Sequence, residues 1–279
     1  QVLERLIESG QQTLFLEHFS DLHTVDQAHF YLAVSTQFRH QLIDWLPIDQ
    51  LAELFDEIEP EDVADEALLE EMSPKKAAAL LNEMYTDNAV DILETLPAEE
   101  LAMYLALIPK ADAVVFRRLL NYEDETAGSL MGIEYASVLD TDTLGEAMKK
   151  VKQVANEAEQ ITYIYVVDHD NKLVGVISLR TLIVDDESTV VRDVMDTNLI
   201  TVTPDEDQQE VARLMADYNF VTMPVVVKDR LIGIITVDDI VDVIDQEAAD
   251  DYSRLAGVDV VSLEENPFRA AVKRLPWLV

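Results

Sequence analysis

A twofold internal repeat constrains the fold of this chain more than any other feature. The stretch "SLMGIEYASVLDTDTLGEAM" (Ser129–Met148) matches "DVMDTNLITVTPDEDQQEVA" (Asp193–Ala212) at an offset of 64. Further on, "YVVDHDNKLVGVISLRTLI" (Tyr165–Ile183) matches "PVVVKDRLIGIITVDDIV" (Pro224–Val241), with Gly175 and Gly233 offset by 58. Both copies are rich in Val, Ile, Thr and Tyr, and each predicts strand, helix, strand, polar turn, strand, helix. The glycine two residues after Leu lets the following strand pack closely. A longer middle helix in the first copy is expected to absorb the difference between the offsets. Tandem copies of this kind are expected to pair across their strands into one pseudo-symmetric module.

The first 125 or so residues have a different texture. Apolar positions recur at three and four, as in "LAELFDEI" and "AAALLNEM", and glycine is nearly absent. Prolines recur in similar settings ("WLPIDQLAELF", "EMSPKKAAALL", "TLPAEELAMYL"), near helix starts where a missing N–H costs little. Short repeated helices predict a small superhelical stack.

Charge narrows the functions available. With 56 acidic against 20 basic residues the net charge is −36, which repels nucleic acid and anionic membranes and favours cations. Cysteine is absent, so disulfides and thiolate zinc sites are excluded and a reducing compartment is suited. His18, His23, His29, His40 and His169 form no recognisable ligand pair and read as ordinary surface or boundary residues. No P-loop, dinucleotide fingerprint or nucleophile–base set is present, so an enzyme reading finds no support.

The acids are also unevenly placed. Seven carboxylates fall in the fourteen residues from Asp238, and no Lys or Arg lies between Arg230 and Arg254. Like charges three or four apart on a helix each cost about 0.2–0.5 kcal/mol, so this stretch is destabilising unless a cation offsets it. Its end, "NPFRAAVKRLPWLV", predicts a helix capped by Asn266 with Pro267 in the first turn. Arg269, Lys273 and Arg274 before an apolar end fit the cytoplasmic approach to a membrane helix. They fit equally an amphipathic helix docked on the protein. No run approaches the roughly 18 apolar residues of a membrane span.

The duplicated "h-x-V-V-x…L-x-G-h-h-[ST]" unit, preceded in its second copy by "VRDVM", resembles a CBS-domain pair. The order of parts is more specific. An acidic helical domain, the junction "YEDETAGSLM" (Tyr122–Met131), a repeat with "YIYVVD" and "DQQEVARLMADYNF", then a basic helix, resembles the cytosolic region of the MgtE magnesium transporter/channel family. The resemblance implies a multidomain fold: an all-α superhelical N-terminal domain (1–125), an α/β tandem CBS pair (126–190 and 191–251) and a C-terminal connecting helix (252–279). It also implies a homodimer through the CBS domains, a transmembrane pore outside this chain, and a place on the cytoplasmic face of the cell membrane. The expected ligand is Mg²⁺, bridging N and CBS domains to favour a closed pore.

Carried over by that resemblance, the Mg²⁺ ligands fall on Asp239, Asp242, Glu247 and Asp250 of the second CBS domain and on Glu53, Asp87 and Asp91 of the N domain. Asp87 and Asp91, four apart, share a helix face. Mg²⁺ takes hard oxygen ligands, typically one or two carboxylates with retained waters. Each acid could equally be a solvated surface charge. Gln209 and Asn219 stand where some members carry acids, so a site there is weakened unless Asp205, Asp207 or Asp217 compensates. The alternative ligand is an adenine nucleotide such as ATP or AMP. Its candidate residues are Ser178, Thr181, Thr236, Asp239 and Phe220; Thr181 stands where the ribose acid is expected, whereas Asp239 supplies it in the second copy. Tyr163, Tyr165 and Phe220 lie near the cleft, though strand aromatics more often fill a core.

Overall fold

Proline and polar caps break the first 120 residues into helices too short to be stable alone, so they survive by stacking. The computed structural model describes residues 2–155 and 158–244. Ten α-helices and one 3-10 helix (Leu68–Glu71) occupy its N domain: α1 Val2–Glu8, α2 Gln12–Ser20, α3 Thr24–Ala33, α4 Thr36–Trp45, α5 Ile48–Phe55, α6 Pro60–Asp65, α7 Pro74–Glu83, α8 Thr86–Thr95, α9 Ala98–Leu107 and α10 Lys110–Leu119. Pro47, Pro97 and Pro109 are N-caps and Pro60 and Pro74 open their helices, where the missing N–H has no partner to lose. Helices touch at intervals of two: α3 on α5, α5 on α7, α7 on α9, with α6 on α8 and α8 on α10 in the other layer. This alternation makes the superhelix.

After a short helix α11 (Ala127–Leu130), the first repeat copy contributes β1 (Tyr135–Leu139), α12 (Leu144–Val154), β2 (Gln160–Val167), β3 (Leu173–Ser178) and α13 (Leu179–Val184). β2 lies between β1, parallel to it, and β3, antiparallel to it. The second copy follows α14 (Val191–Val194) with α15 (Gln208–Tyr218), β4 (Thr222–Val227), β5 (Arg230–Thr236) and a helix over 237–244, here α16. Its first strand is reduced to one parallel bridge, Val202 to Val225. Lys228 and Asp229 both take left-handed φ values, 53° and 66°, as a two-residue hairpin requires.

The expected longer helix in the first copy is not observed: α12 and α15 are both eleven residues. The added length lies between α12 and the body of β2, in the stretch that carries Glu159. The copies do pair across one another. Gly132 bridges Ile234, and Asp196 bridges Val176; these pairs are related by the same offsets, 64 and 58, as the sequence copies. Gly233 and Gly175 face the Met131 and Met195 side chains respectively, with a hypothetical Cβ less than 3 Å from each sulfur, so each glycine admits the other copy's lead-in segment. One hydrophobic core runs from the N-domain helices through Leu119, Ala127 and Met131 into Val211, Met223 and Ile235 of the second copy, and the first copy keeps its own core around Ile164 and Val166. The N domain thus packs against the second CBS copy.

Candidate functional site

Three elements from three parts of the chain converge on one acidic cleft. The first turn of α8 carries Asp87, with Asp91 one turn on; α16 carries Asp238, Asp239 and Asp242; and the stretch before β2 carries Glu159. Among the described residues, twenty-two line a cavity of about 810 Å³ between the N domain and the CBS pair; thirteen of these are Asp or Glu and none is Lys, Arg or His. Among the described residues, Asp87, Glu159 and Asp239 each offer a carboxylate oxygen, all within 4.8 Å of one another.

Local rules explain each position. Thr236 precedes α16, and Asp239 at the third helical position accepts from the Thr236 main-chain N–H and hydroxyl, both at 2.8 Å, the half of a capping box in which the third residue reaches back to the cap. Asp87 opens α8, where the helix dipole favours an anion, and one oxygen accepts from Asn88 N–H at 3.0 Å. Glu159 is set by its own N–H, which donates to the Glu134 carbonyl at 2.9 Å. Glu134 in turn accepts from the Thr86 hydroxyl across the domain boundary and from Ile133 N–H at 3.0 Å. Asp56, at the end of α5, accepts from Tyr85 N–H at 3.1 Å and the Asn88 amide at 3.2 Å.

Burial and mutual repulsion hold Asp87, Glu159, Asp239 and Asp56 above the usual carboxylate range. Asp87, 6% exposed, is raised by burial first, then by Asp239, Glu159 and Glu134. Glu159 is raised by burial and by Asp239, against a hydrogen bond with Thr236. Asp239 is raised by burial, against its two Thr236 hydrogen bonds, with Asp238 and Asp242 adding to the push. Asp56 is pushed up to about 7, mainly by burial. Asp91 is raised first by desolvation against the cleft wall, then by Glu94, Asp239 and Glu61; part of its surface is open to solvent, which mutes the effect.

The residues present fit a small hard cation. The donors are all carboxylate oxygens, the set Mg²⁺ prefers. Glu159 Oε2 is buried without a hydrogen-bond partner. The space beside it is kept open by Gly132, whose hypothetical Cβ would lie 3.2 Å from Asp87 Oδ2, 3.2 Å from Glu159 Oε2 and 3.3 Å from Glu134 Oε2.

Of the acids expected from the sequence, Asp87 and Asp239 meet directly, and Asp91 and Asp242 line the same cleft. Glu53 is exposed on α5 and does not line it; Asp56, Glu57 and Glu59 do. Glu247 and Asp250 lie outside the described residues, as does the connecting helix. Glu159, Glu134 and Asp56 were missed by sequence reasoning. Of the nucleotide candidates, Ser178 caps α13, accepting from Thr181 N–H at 3.1 Å. Thr236 is fully buried. Phe220 is half-buried and stacks on Tyr218 at 5.5 Å between centroids. Tyr165 belongs to the core and donates to Thr222 at 2.8 Å, while Tyr163 is exposed.

A helical superhelix joined to a CBS pair around an acidic cleft is the class of protein that the fold and site define, and comparison with known proteins narrows it. The MgtE intracellular N domain family matches residues 22–125 and the CBS domain family matches 127–185 and 191–246. The magnesium transporter MgtE of Enterococcus faecalis is 46% identical over the whole chain and 62% of its own length. That of Thermus thermophilus is 36% identical over 99% of the chain and 63% of its own length. Among solved structures, the soluble part of a magnesium transporter superposes with a TM-score of 0.87 at 44% identity, covering 89% of this chain and 97% of that one. The cytosolic domain of the Mg²⁺ channel MgtE in complex with ATP gives 0.77 at 34% identity, covering 86% and 98%. The chain belongs to the MgtE family of magnesium transporters. It spans about three-fifths of the length of these curated relatives, which are transporters and not enzymes. Among the described residues no helix is long and apolar enough to cross a membrane.

Proposed function

We propose that this chain is the cytosolic Mg²⁺-sensing region of a magnesium transporter or channel, in which the ion bridges the N and CBS domains and so favours a closed pore. The observation that carries the reading is the meeting of Asp87, Glu159 and Asp239, one acid each from the N domain, the first copy and the second. Two like charges at that spacing repel by on the order of 3 kcal/mol at an effective dielectric of about 20. Without a cation the acids push the domains apart or take up protons; with one they are drawn together. The ligand therefore biases a two-state element by its preference for the closed form. Asp91 and Asp242, with Glu247 and Asp250 further along, supply additional weak sites, suited to a sensor of millimolar ion. The pore on which closure acts belongs to a part of the transporter outside this chain, at the cytoplasmic face of the membrane.

The test is small-angle scattering of the chain with and without Mg²⁺ at matched ionic strength. Compaction that Mg²⁺ produces and an equal ionic strength of Na⁺ does not supports the reading; an unchanged radius of gyration rejects it. We also propose that the chain is a homodimer through its CBS domains. In support, Val237, Val241 and Ile244 present a 40–50% exposed apolar stripe along α16, and light scattering of a monomer would reject it.

A second reading, ATP as a regulatory ligand of the CBS pair, is favoured by the 34%-identical relative solved in complex with ATP and by the surface stack of Tyr218 on Phe220. Asp239 is engaged at the acidic cleft, which argues against its also holding a polyanion's ribose. Calorimetry with ATP in EDTA decides the matter: micromolar binding supports the reading, and none removes it.

A further inference from the structure

The two lead-in segments of the repeat are held by the same main-chain bonds, and one side chain breaks the symmetry. Before the first copy, Gln208 N–H donates to the Glu125 carbonyl (3.0 Å), Ala127 N–H to that of Glu206 (2.7 Å) and Gly128 N–H to that of Pro204 (2.9 Å). Sixty-four residues away, Leu144 N–H donates to Thr189 (2.9 Å), Val191 N–H to Asp142 (2.9 Å) and Arg192 N–H to Asp140 (3.1 Å). Gly128 therefore stands where the second segment has Arg192, whose guanidinium turns to the Asp140 carboxylate at 2.8 Å. The shared backbone accommodates a side chain there. What occupies its place at Gly128 is the ring of Tyr122: a hypothetical Cβ would lie 2.5 Å from Tyr122 Cγ and 2.6 Å from Cδ1, as well as 2.9 Å from the Pro204 carbonyl.

Tyr122 and Gly128 belong to different bodies. Tyr122 N–H bonds back to Leu119 at the end of α10 (3.0 Å), so it moves with the N domain; Glu125, Ala127 and Gly128 are bonded to the second CBS copy. The pairing also stops at Glu125. Gly145 N–H continues the second ladder to Glu187 (3.0 Å), whereas its counterpart Gln209 N–H turns to the Asp207 side chain at 2.9 Å. Glu125 itself has a left-handed φ of 60°, uncommon for a residue with a side chain.

We propose that the N domain pivots about Glu123–Glu125, and that the Tyr122 ring seated on bare Gly128 is the key that sets its closed position. This rests on the cation-driven closure proposed above. The ring leaves the glycine as the cleft opens, so Tyr122 helps determine how much cation is needed to close it.

Hydrogen–deuterium exchange of the 279-residue chain in Mg²⁺ and in EDTA, run beside scattering, tests the pivot. The expected result is faster exchange at 123–125 in EDTA, with Ala127, Gly128, Gly132 and Gln208 equally protected in both. Lost protection at those four amides, or compaction with no change at 123–125, overturns the pivot and leaves the sensor reading standing. Absence of any compaction overturns both. The key is tested by Tyr122→Ala and Tyr122→Phe. The Mg²⁺ midpoint of compaction should rise about fivefold or more for alanine, within the usual range of coupling between sites, and stay unchanged for phenylalanine. An unchanged midpoint for Tyr122→Ala overturns it. Gly128→Ala should act in the same direction; the tyrosine pair decides the matter if that variant does not fold.

Discussion

Asp239 Oδ2 accepts both the main-chain N–H and the hydroxyl of Thr236, each at 2.8 Å. The pairing is a helix cap, which alone would explain an aspartate at this position. It also fixes the carboxylate that faces Asp87 and Glu159 across the domain boundary, so in the proposed ion site the buried Thr236 hydroxyl would orient a ligand.

Thr236→Val removes that hydroxyl while keeping the shape of the buried side chain. A hydrogen bond to a charged group contributes about 1.5–3 kcal/mol. Part of it is regained when the freed carboxylate meets the ion, so Mg²⁺ binding measured calorimetrically should weaken about three- to tenfold. Thr236→Ser should bind as the parent does. Equal loss in both variants would assign the effect to core packing.

Asp87→Asn should stabilise the cation-free chain and abolish most of its response to Mg²⁺. The dipole of α8 favours the charged form by about 0.3–1 kcal/mol, whereas repulsion from Asp239 and Glu159 opposes it by on the order of 3 kcal/mol. Repulsion wins, and asparagine retains an oxygen for the Asn88 N–H. Each kcal/mol recovered raises Tm by about 2–4 °C in a chain of this size. Thermal scans in EDTA that show a lower Tm for the variant would contradict the assignment of Asp87 as an unneutralised acid.

The cleft should make stability depend on pH in a definite direction. Asp56 is raised to about 7, and Asp87, Glu159 and Asp239 are also raised. Acids raised by folding contribute stability that is complete below their unfolded pKa, about 4, and lost as pH climbs through the folded value. The cation-free Tm should therefore fall between pH 6 and pH 8. Because Mg²⁺ must displace the protons, the rise in Tm on adding it should be larger at pH 8 than at pH 6. Scanning calorimetry at both pH values, with Mg²⁺ or EDTA, reads this directly.

The repeat made most of the CBS architecture legible, because the offsets of 64 and 58 carry the cross-copy pair Gly132–Ile234 onto the pair Asp196–Val176. Prolines at helix starts made the superhelix legible in the same way. The candidate acids Asp87, Asp91, Asp239 and Asp242 were legible through the family resemblance, which reaches residues that match a family motif. Glu159 lies in the stretch where the first copy is longer, so it has no counterpart in the second. Asp56 is placed by contacts with Tyr85 and Asn88, about thirty residues away in the same domain, and Glu134 by the Thr86 hydroxyl across the domain boundary. Glu53, expected from the family resemblance, is exposed on α5, and Asp56, three residues on, lines the cleft. Glu53→Gln should accordingly leave the Mg²⁺ midpoint unchanged, where Asp56→Asn shifts it.

Gly132→Ala tests whether the ion occupies the space between the three carboxylates. Gly132 is held by reciprocal bonds to Ile234, N–H to carbonyl and carbonyl to N–H, both 2.9 Å, and its φ lies outside the left-handed region. Alanine is therefore compatible with the backbone. The added methyl would stand 3.2–3.3 Å from oxygens of Asp87, Glu159 and Glu134, closer than comfortable contact, in the volume an ion and its waters need. Carboxylate side chains can yield by a few tenths of an ångström, so the fold should persist with native secondary structure. Mg²⁺ affinity should fall by tenfold or more, equivalent to about 1.4 kcal/mol, because a displaced oxygen cannot regain near-octahedral geometry at about 2.1 Å. Circular dichroism reports the first outcome and calorimetric titration the second. Undiminished Mg²⁺ binding in a folded Gly132→Ala chain would place the ion elsewhere in the cleft, nearer Asp91 and Asp242.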